Sequence, residues 1–198
     1  DVFLSYTYKP DYLEPYPNCV TNWQLHGVHA KENFCFKIVQ MPIILDGGNV
    51  VKAVVNGNPC FIMCEKILKE NNVSEKAFRD WWMRWWKEQF DGTTMELVLL
   101  PWEGKQDNPI GHADGMVRYV GDNCVLMTNY LDFDQKYKDD FGSKMKIVLE
   151  KAGFRVETIK FWDKLKDDPH FNDLMNESWC YINYLQVGSN VLVPKLSY

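Results

Sequence analysis

The stretch Val120–Met127 reads VGDNCVLM: a strand end, a Gly-Asp-Asn turn and an apolar run. This is the signal of a β-hairpin, because Gly, Asp and Asn supply the positive φ values that a tight turn needs. The same pattern occurs twice more. Val55–Met63 reads VNGNPCFIM, and Val187–Pro194 reads VGSNVLVP. The turn asparagines Asn58, Asn123 and Asn190 fall 65 and 67 residues apart, so three hairpins recur at a period near 66. A near-constant period of this kind predicts a structural repeat.

The text between the hairpins fills in the repeat. After the first comes CEKILKENNVSEKAFRDWWMRWWKEQF, in which Ser74 is a plausible N-cap and Ala77, Phe78, Trp81, Trp82, Trp85 and Trp86 recur at three- and four-residue spacing. A helix burying this face against a sheet is expected, rather than a tryptophan-lined ligand groove, with Asp91-Gly92 as its stop. TMELVLLPW then reads as a strand. After the second hairpin, YKDDFGSKMKIVLEKAGFRVETIKFW reads as helix, a stop at Gly153, then strand. Each unit is hairpin, helix, strand, which predicts an α/β protein of ββαβ-like units. The first 40 residues alternate apolar and polar positions at Val2, Leu4, Tyr6 and Tyr8, then run into a proline-rich loop of the kind that often covers a site. Three units nearly fill the chain. So open an arc leaves sheet edges and apolar faces bare, and both a longer natural protein and self-association are expected.

Bulk properties narrow the function. The 198 residues suffice for one sizeable core, with 46% hydrophobic and 25% charged residues and a net charge of −5. An acidic chain of pI near 5.4 argues against nucleic acid or an anionic membrane surface as partner, and suits a small cation. No apolar run approaches membrane-spanning length, and no signal peptide is visible. The six cysteines form no C-x-x-C, and several sit inside apolar runs, as reduced and buried thiols of a cytoplasmic protein would. The four histidines share no ligand spacing with them, so no metal and no other cofactor is expected.

The polar motifs lie just upstream of the hairpins. Ile110–Met127 reads IGHADGMVRYVGDNCVLM. On an extended strand His112 and Asp114 would share a face, and the flanking glycines would let a ligand approach the backbone. A turn with a capping aspartate and a solvated histidine is the plainer alternative. Pro42–Val50, PIILDGGNV, occupies the corresponding place before the first hairpin. Repeats related by rotation would bring Asp46, His112 and Asp114 to one central pocket. Two carboxylates and an imidazole suit a planar cation with many N–H donors, namely a guanidinium, with the imidazole moving protons.

These segments resemble the guanidine-modifying enzymes of the pentein fold, in the branch of bacterial-type peptidylarginine deiminases and agmatine deiminases. The resemblance is carried by LDGGN (Leu45–Asn49), GHADGMVRY (Gly111–Tyr119), SWCYINYLQVGSNVLVP (Ser178–Pro194) and YTYKPDYL (Tyr6–Leu13). It implies a pentein-type α/β propeller of five ββαβ units, of which this chain holds about three, with residues 1–198 as the central part of a single catalytic domain. It implies hydrolysis of agmatine or an arginine derivative to a ureido product and ammonia. His112 and Asp114 become catalytic residues, and Asp46, Gly47, Gly48, Asn49 and Gly111 become substrate-binding residues. The family's nucleophilic cysteine follows the segment similar to SWCYINY, and an Arg-Asp motif precedes the one similar to YTYKPDYL. Neither maps onto a residue here, so the chain alone is expected to be inactive. Cys180 is the tempting substitute; Cys60, Cys64 and Cys124 lie inside strand-like runs. Two alternatives stand beside this reading: a guanidinium-binding protein without turnover, and a metal hydrolase drawing a third ligand from His26 or His29.

Overall fold

A computed structural model describes residues 2–9, 11, 32, 37–102, 111–159 and 179–193. The expected proline-rich loop, His26, His29 and the side chain of Cys180 lie outside the described part. The alternating N-terminal run forms β1 (Val2–Thr7), which pairs in parallel with β2 (Lys37–Ile44). A single 3-10 turn (Gly47–Asn49) leads into a hairpin of β3 (Val51–Val55) and β4 (Asn58–Cys64). A short helix α1 (Lys66–Glu70) and a long one α2 (Glu75–Gln89) follow, and then β5 (Glu96–Leu100), which lies parallel to β4.

The pattern then repeats. A 3-10 turn (Ala113–Gly115), a hairpin of β6 (Val117–Gly121) and β7 (Cys124–Met127), helices α3 (Tyr130–Tyr137) and α4 (Phe141–Lys151), and a parallel β8 (Arg155–Thr158) form the second unit. The third opens with a one-turn helix α5 (Trp179–Ile182) and a hairpin of β9 (Leu185–Val187) and β10 (Asn190–Leu192). The three leading turns begin at residues 47, 113 and 179, and the second hairpin strands at 58, 124 and 190, so the period is 66 throughout.

Period-two alternation distributes β4 between two cores. Cys60, Ile62 and Cys64 face one, with Val98, Leu100, Val117, Val125, Met145 and Leu149, so this core joins the first unit to the second. Phe61 and Met63 face the other, where Phe78, Trp82, Trp85 and Trp86 of α2 meet Val39, Met41 and Ile43 of β2. The tryptophan stripe is therefore core, as its spacing predicts. Ser74 caps α2 by accepting from the Ala77 N–H, and the Trp82 indole N–H donates to the Met95 carbonyl at 2.8 Å. At the far end Asp91 and Gly92 turn the chain with φ of 47° and 78°. Among the described residues no helix is long and apolar enough to cross a membrane.

The two units also meet at their hairpin tips. The side-chain oxygen of Asn123 accepts from the Asn56 N–H at 2.9 Å, tying one turn to the next across a seam.

Candidate active site

The site is built on the two 3-10 turns, each held against the end of a hairpin strand. In the first, Asp46 precedes the turn and accepts from the Gly48 N–H at 3.1 Å. The buried Asn49 side chain donates to the Cys64 carbonyl (3.2 Å) and accepts from the Cys64 N–H (2.6 Å), clamping the turn to the end of β4. In the second turn the position corresponding to Asn49 is Gly115. There the clamp runs the other way, with the Thr128 hydroxyl donating to the Gly115 carbonyl at 3.0 Å. Asn49, expected among substrate-binding residues, thus directs both ends of its amide at the backbone and fixes the turn.

His112 and Asp114 do not lie on an extended strand. His112 precedes the 3-10 turn that contains Asp114, and β6 starts only at Val117. The glycine-rich text that suggested a strand mouth instead makes a tight turn, which re-aims both side chains. In the 66-residue frame His112 corresponds to Asp46 and Asp114 to Gly48. The corresponding pair meets across the seam: His112 Nε2 stands 2.9 Å from Asp46 Oδ2, with Asp46 9% exposed and His112 26%. Asp114 lies beside them. Burial raises its carboxyl above the usual range, His112 pulls it down, and the Asp46 charge pushes it up. Asp46, His112 and Asp114, far apart in sequence, are brought together.

The glycines make room, but the groups that approach them are the chain's own side chains. A Cβ on Gly48 would lie within 2.9 Å of two ring carbons of His112, and one on Gly47 would lie 3.0 Å from the Tyr6 hydroxyl. Gly111 has φ +57°, and its Cβ would press on the Lys66 stem and the Trp102 ring. Lys66 is 1% exposed and pairs with Asp11 at 2.8 Å and Glu70 at 3.6 Å, so this segment rests on a buried ionic cluster.

Two further residues lie at the site, each inside a segment that carries the resemblance (YTYKPDYL and SWCYINYLQVGSNVLVP) but given no role there. Tyr6, at the end of β1, is held above its usual pKa by burial and by Asp46. Asn183 donates to Asp114 Oδ2 at 3.4 Å. The period was the available signal for Asn183, since it follows the third leading turn. For Tyr6 the text marks the segment YTYKPDYL but not which turn its side chain will reach.

Cys60, Cys64 and Cys124 are buried free thiols, and burial pushes the first two up to about 12. Thiols so raised are protonated and inert at neutral pH. Among the described residues no group of three or more His, Cys, Asp and Glu side chains is placed to hold a metal ion.

No protein-family model matches the chain, and no curated protein sequence matches it. Solved structures do. Agmatine deiminase of C. jejuni matches with a TM-score of 0.57 at 16% identity, over 97% of this chain and 54% of that one. The chain has the fold of the agmatine deiminases. A cysteine-to-serine variant of the C. jejuni enzyme with substrate bound matches equally, at TM-score 0.57 and 16% identity over 98% of this chain and 54% of that one. Agmatine deiminase of Enterococcus faecalis matches at TM-score 0.55 and 13% identity, over 80% of this chain and 44% of that one. The chain thus spans about half the length of these deiminase-fold structures. The mixed α/β architecture agrees with the expectation from the repeats.

Proposed function

We propose that Asp46, His112 and Asp114 form the guanidinium-handling part of a deiminase site acting on agmatine or an arginine derivative. The observation that carries this reading is the 2.9 Å approach of His112 to Asp46, with Asp114 alongside, in a chain of deiminase fold. Carboxylates accept the forked N–H donors of a guanidinium, and a partly buried site strengthens that attraction. In the proposed reaction a thiolate attacks the guanidinium carbon. The C–N bond to the leaving nitrogen breaks, and His112 delivers the proton with which ammonia departs. His112 then takes a proton from water as water adds to the same carbon. The C–S bond breaks, the thiolate is released, the added hydroxyl gives up its proton to solvent, and a ureido product remains.

Among the described residues the free thiols Cys60, Cys64 and Cys124 are all buried, and none is placed to serve as the nucleophile. That observation favours a second reading, in which this chain binds guanidinium without turning it over. Calorimetry with agmatine and with putrescine, which has an amine in place of the guanidinium, tests the common part. Agmatine should bind wild type, putrescine should not, and Asp46→Asn and His112→Ala should each weaken agmatine binding roughly tenfold or more. Equal binding of both amines, or of neither, overturns the guanidinium site. Ammonia release from agmatine by the same chain separates turnover from binding alone.

A further inference from the structure

Behind the site one buried cation touches three parts of the chain that lie far apart in sequence. Lys66, in the first turn of α1, pairs its ammonium with Asp11 at 2.8 Å and with Glu70, whose side chain is 4% exposed, at 3.6 Å. The second oxygen of Asp11 accepts from the exposed Lys69 at 3.2 Å. Burial lifts the Asp11 carboxyl, but Lys66 and then Lys69 outweigh it and hold it below its usual value, so the clasp is charged at neutral pH. Asp11 follows β1, whose end is joined to the first leading turn. The Leu45 N–H donates to the Thr7 carbonyl at 2.9 Å, and the Tyr6 hydroxyl lies against Gly47. The lysine stem serves the other side of the seam. A Cβ on Gly111 would lie 3.0 Å from Lys66 Cδ and 3.2 Å from its Cβ, so the backbone just before His112 rests on the stem.

A buried ion pair is a weak device for stability, since an apolar side chain of similar volume often serves as well. An apolar residue at position 66 could seat Gly111, but it could not hold Asp11. We propose that Lys66 is a positioning residue that braces both walls of the site: its ammonium holds the chain after β1 through Asp11, and its stem seats the backbone ahead of His112. The bracing rests on these contacts alone; its bearing on guanidinium binding rests on the reading above.

Two double variants separate head from stem. Lys66→Met with Glu70→Gln removes the ammonium, keeps a stem and leaves the net charge unchanged. Lys66→Ala with Glu70→Gln is alike but loses the stem. Hydrogen exchange of the Leu45 N–H reports the hold on β1, with the amides of the central strand β4 as reference. In both doubles Leu45 should exchange roughly tenfold faster while β4 keeps its wild-type rates. The Asp114 carboxyl reports the place of His112: burial raises it and the His112 charge pulls it back. Its midpoint, followed by 13C NMR and assigned by its loss in Asp114→Asn, should rise in the Ala double alone, because His112 recedes when its seat is gone. An unchanged Leu45 rate, or an equal rise at Leu45 and throughout β4, marks a merely structural lysine and overturns the proposal. So does an Asp114 midpoint that moves alike in both doubles, or in neither. Should a double fail to fold, Asp11→Asn, at the partly exposed end of the clasp, decides at Leu45: faster exchange there alone supports the brace, and the wild-type rate refutes it. The Ala double should also weaken agmatine binding roughly three- to tenfold. If both NMR readouts respond but wild type binds no agmatine, the brace stands and the guanidinium reading falls. If wild type binds agmatine and neither readout moves, the brace falls alone.

Discussion

Gly48 and His112 set the shape of the site between them. The imidazole lies where a Cβ on Gly48 would be, so the ring can reach Asp46 only because position 48 has no side chain. The backbone at Gly48 is not in the left-handed region, and what the glycine supplies is space. Gly48→Ala should therefore push the ring outward, where His112 already has some exposure. Agmatine affinity should drop roughly tenfold or more while the melting temperature barely changes; a matching loss of both would show that the turn itself had failed. The pH dependence follows from Asp114. Burial raises its carboxyl above the usual value of about 3.9, against the pull of His112. Guanidinium binding needs the ionised form, so affinity measured by calorimetry should decline on acidification while ordinary carboxylates are still charged. The same raised value makes the ionised group a cost to folding at neutral pH, a cost relieved as pH falls through the folded-state value. At this scale the cluster that makes up the candidate site was largely legible: His112, Asp114 and Asp46 are marked by glycine-flanked polar text ahead of a hairpin. What text could not give was the tight turn in place of a strand, because His-x-Asp-Gly fits both.

Among the elements, α3 and α4 show how a local pattern can be overridden by its neighbour. Asp140 sits at the N-cap of α4 but makes no capping bond. The cap comes from α3 instead: Asp134 accepts from the N–H groups of Gly142 and Ser143, both at 2.7 Å. These donors outweigh burial and hold the Asp134 carboxyl below its usual value. Gly142 lets the helices meet, since a Cβ there would lie 2.5 Å from the Tyr130 carbonyl carbon and 2.7 Å from the Leu131 nitrogen. Alanine would gain about 1 kcal/mol of helix propensity, but this contact is with backbone, which cannot swing aside. Overpacking at about 1–3 kcal/mol should win, so Gly142→Ala is expected to lower the urea midpoint. The long helices were readable because their apolar spacing spans several turns, with a cap at Ser74 and a stop at Gly153. The short α3 was not, because two turns hold too few apolar positions to fix a period, and the packing of Tyr130 decides it.

On the scale of the whole molecule, the first two units are each closed by a third strand, and the last shows its hairpin alone among the described residues. Val191 and Leu192 are 49% and 59% exposed, whereas the corresponding β7 residue Val125 is fully buried. The repeat was legible because turn chemistry recurs at a fixed period. The seam was not, since nothing in the text reveals that Asn123 will reach Asn56.

That seam has a kinetic consequence. Asp46 stands on one side of it and His112 and Asp114 on the other, while the Asn56–Asn123 bond crosses it at the hairpin tips. A cation held by both carboxylates would act as a further staple across two units already joined by a shared core and by the Asn56–Asn123 bond. Opening of the seam must then await ligand departure, and the free energy of opening rises with ligand concentration. The Asn56 N–H, which donates to the Asn123 side chain at the hairpin tips, should report this: its hydrogen exchange should slow on adding agmatine, by a factor that tracks site occupancy.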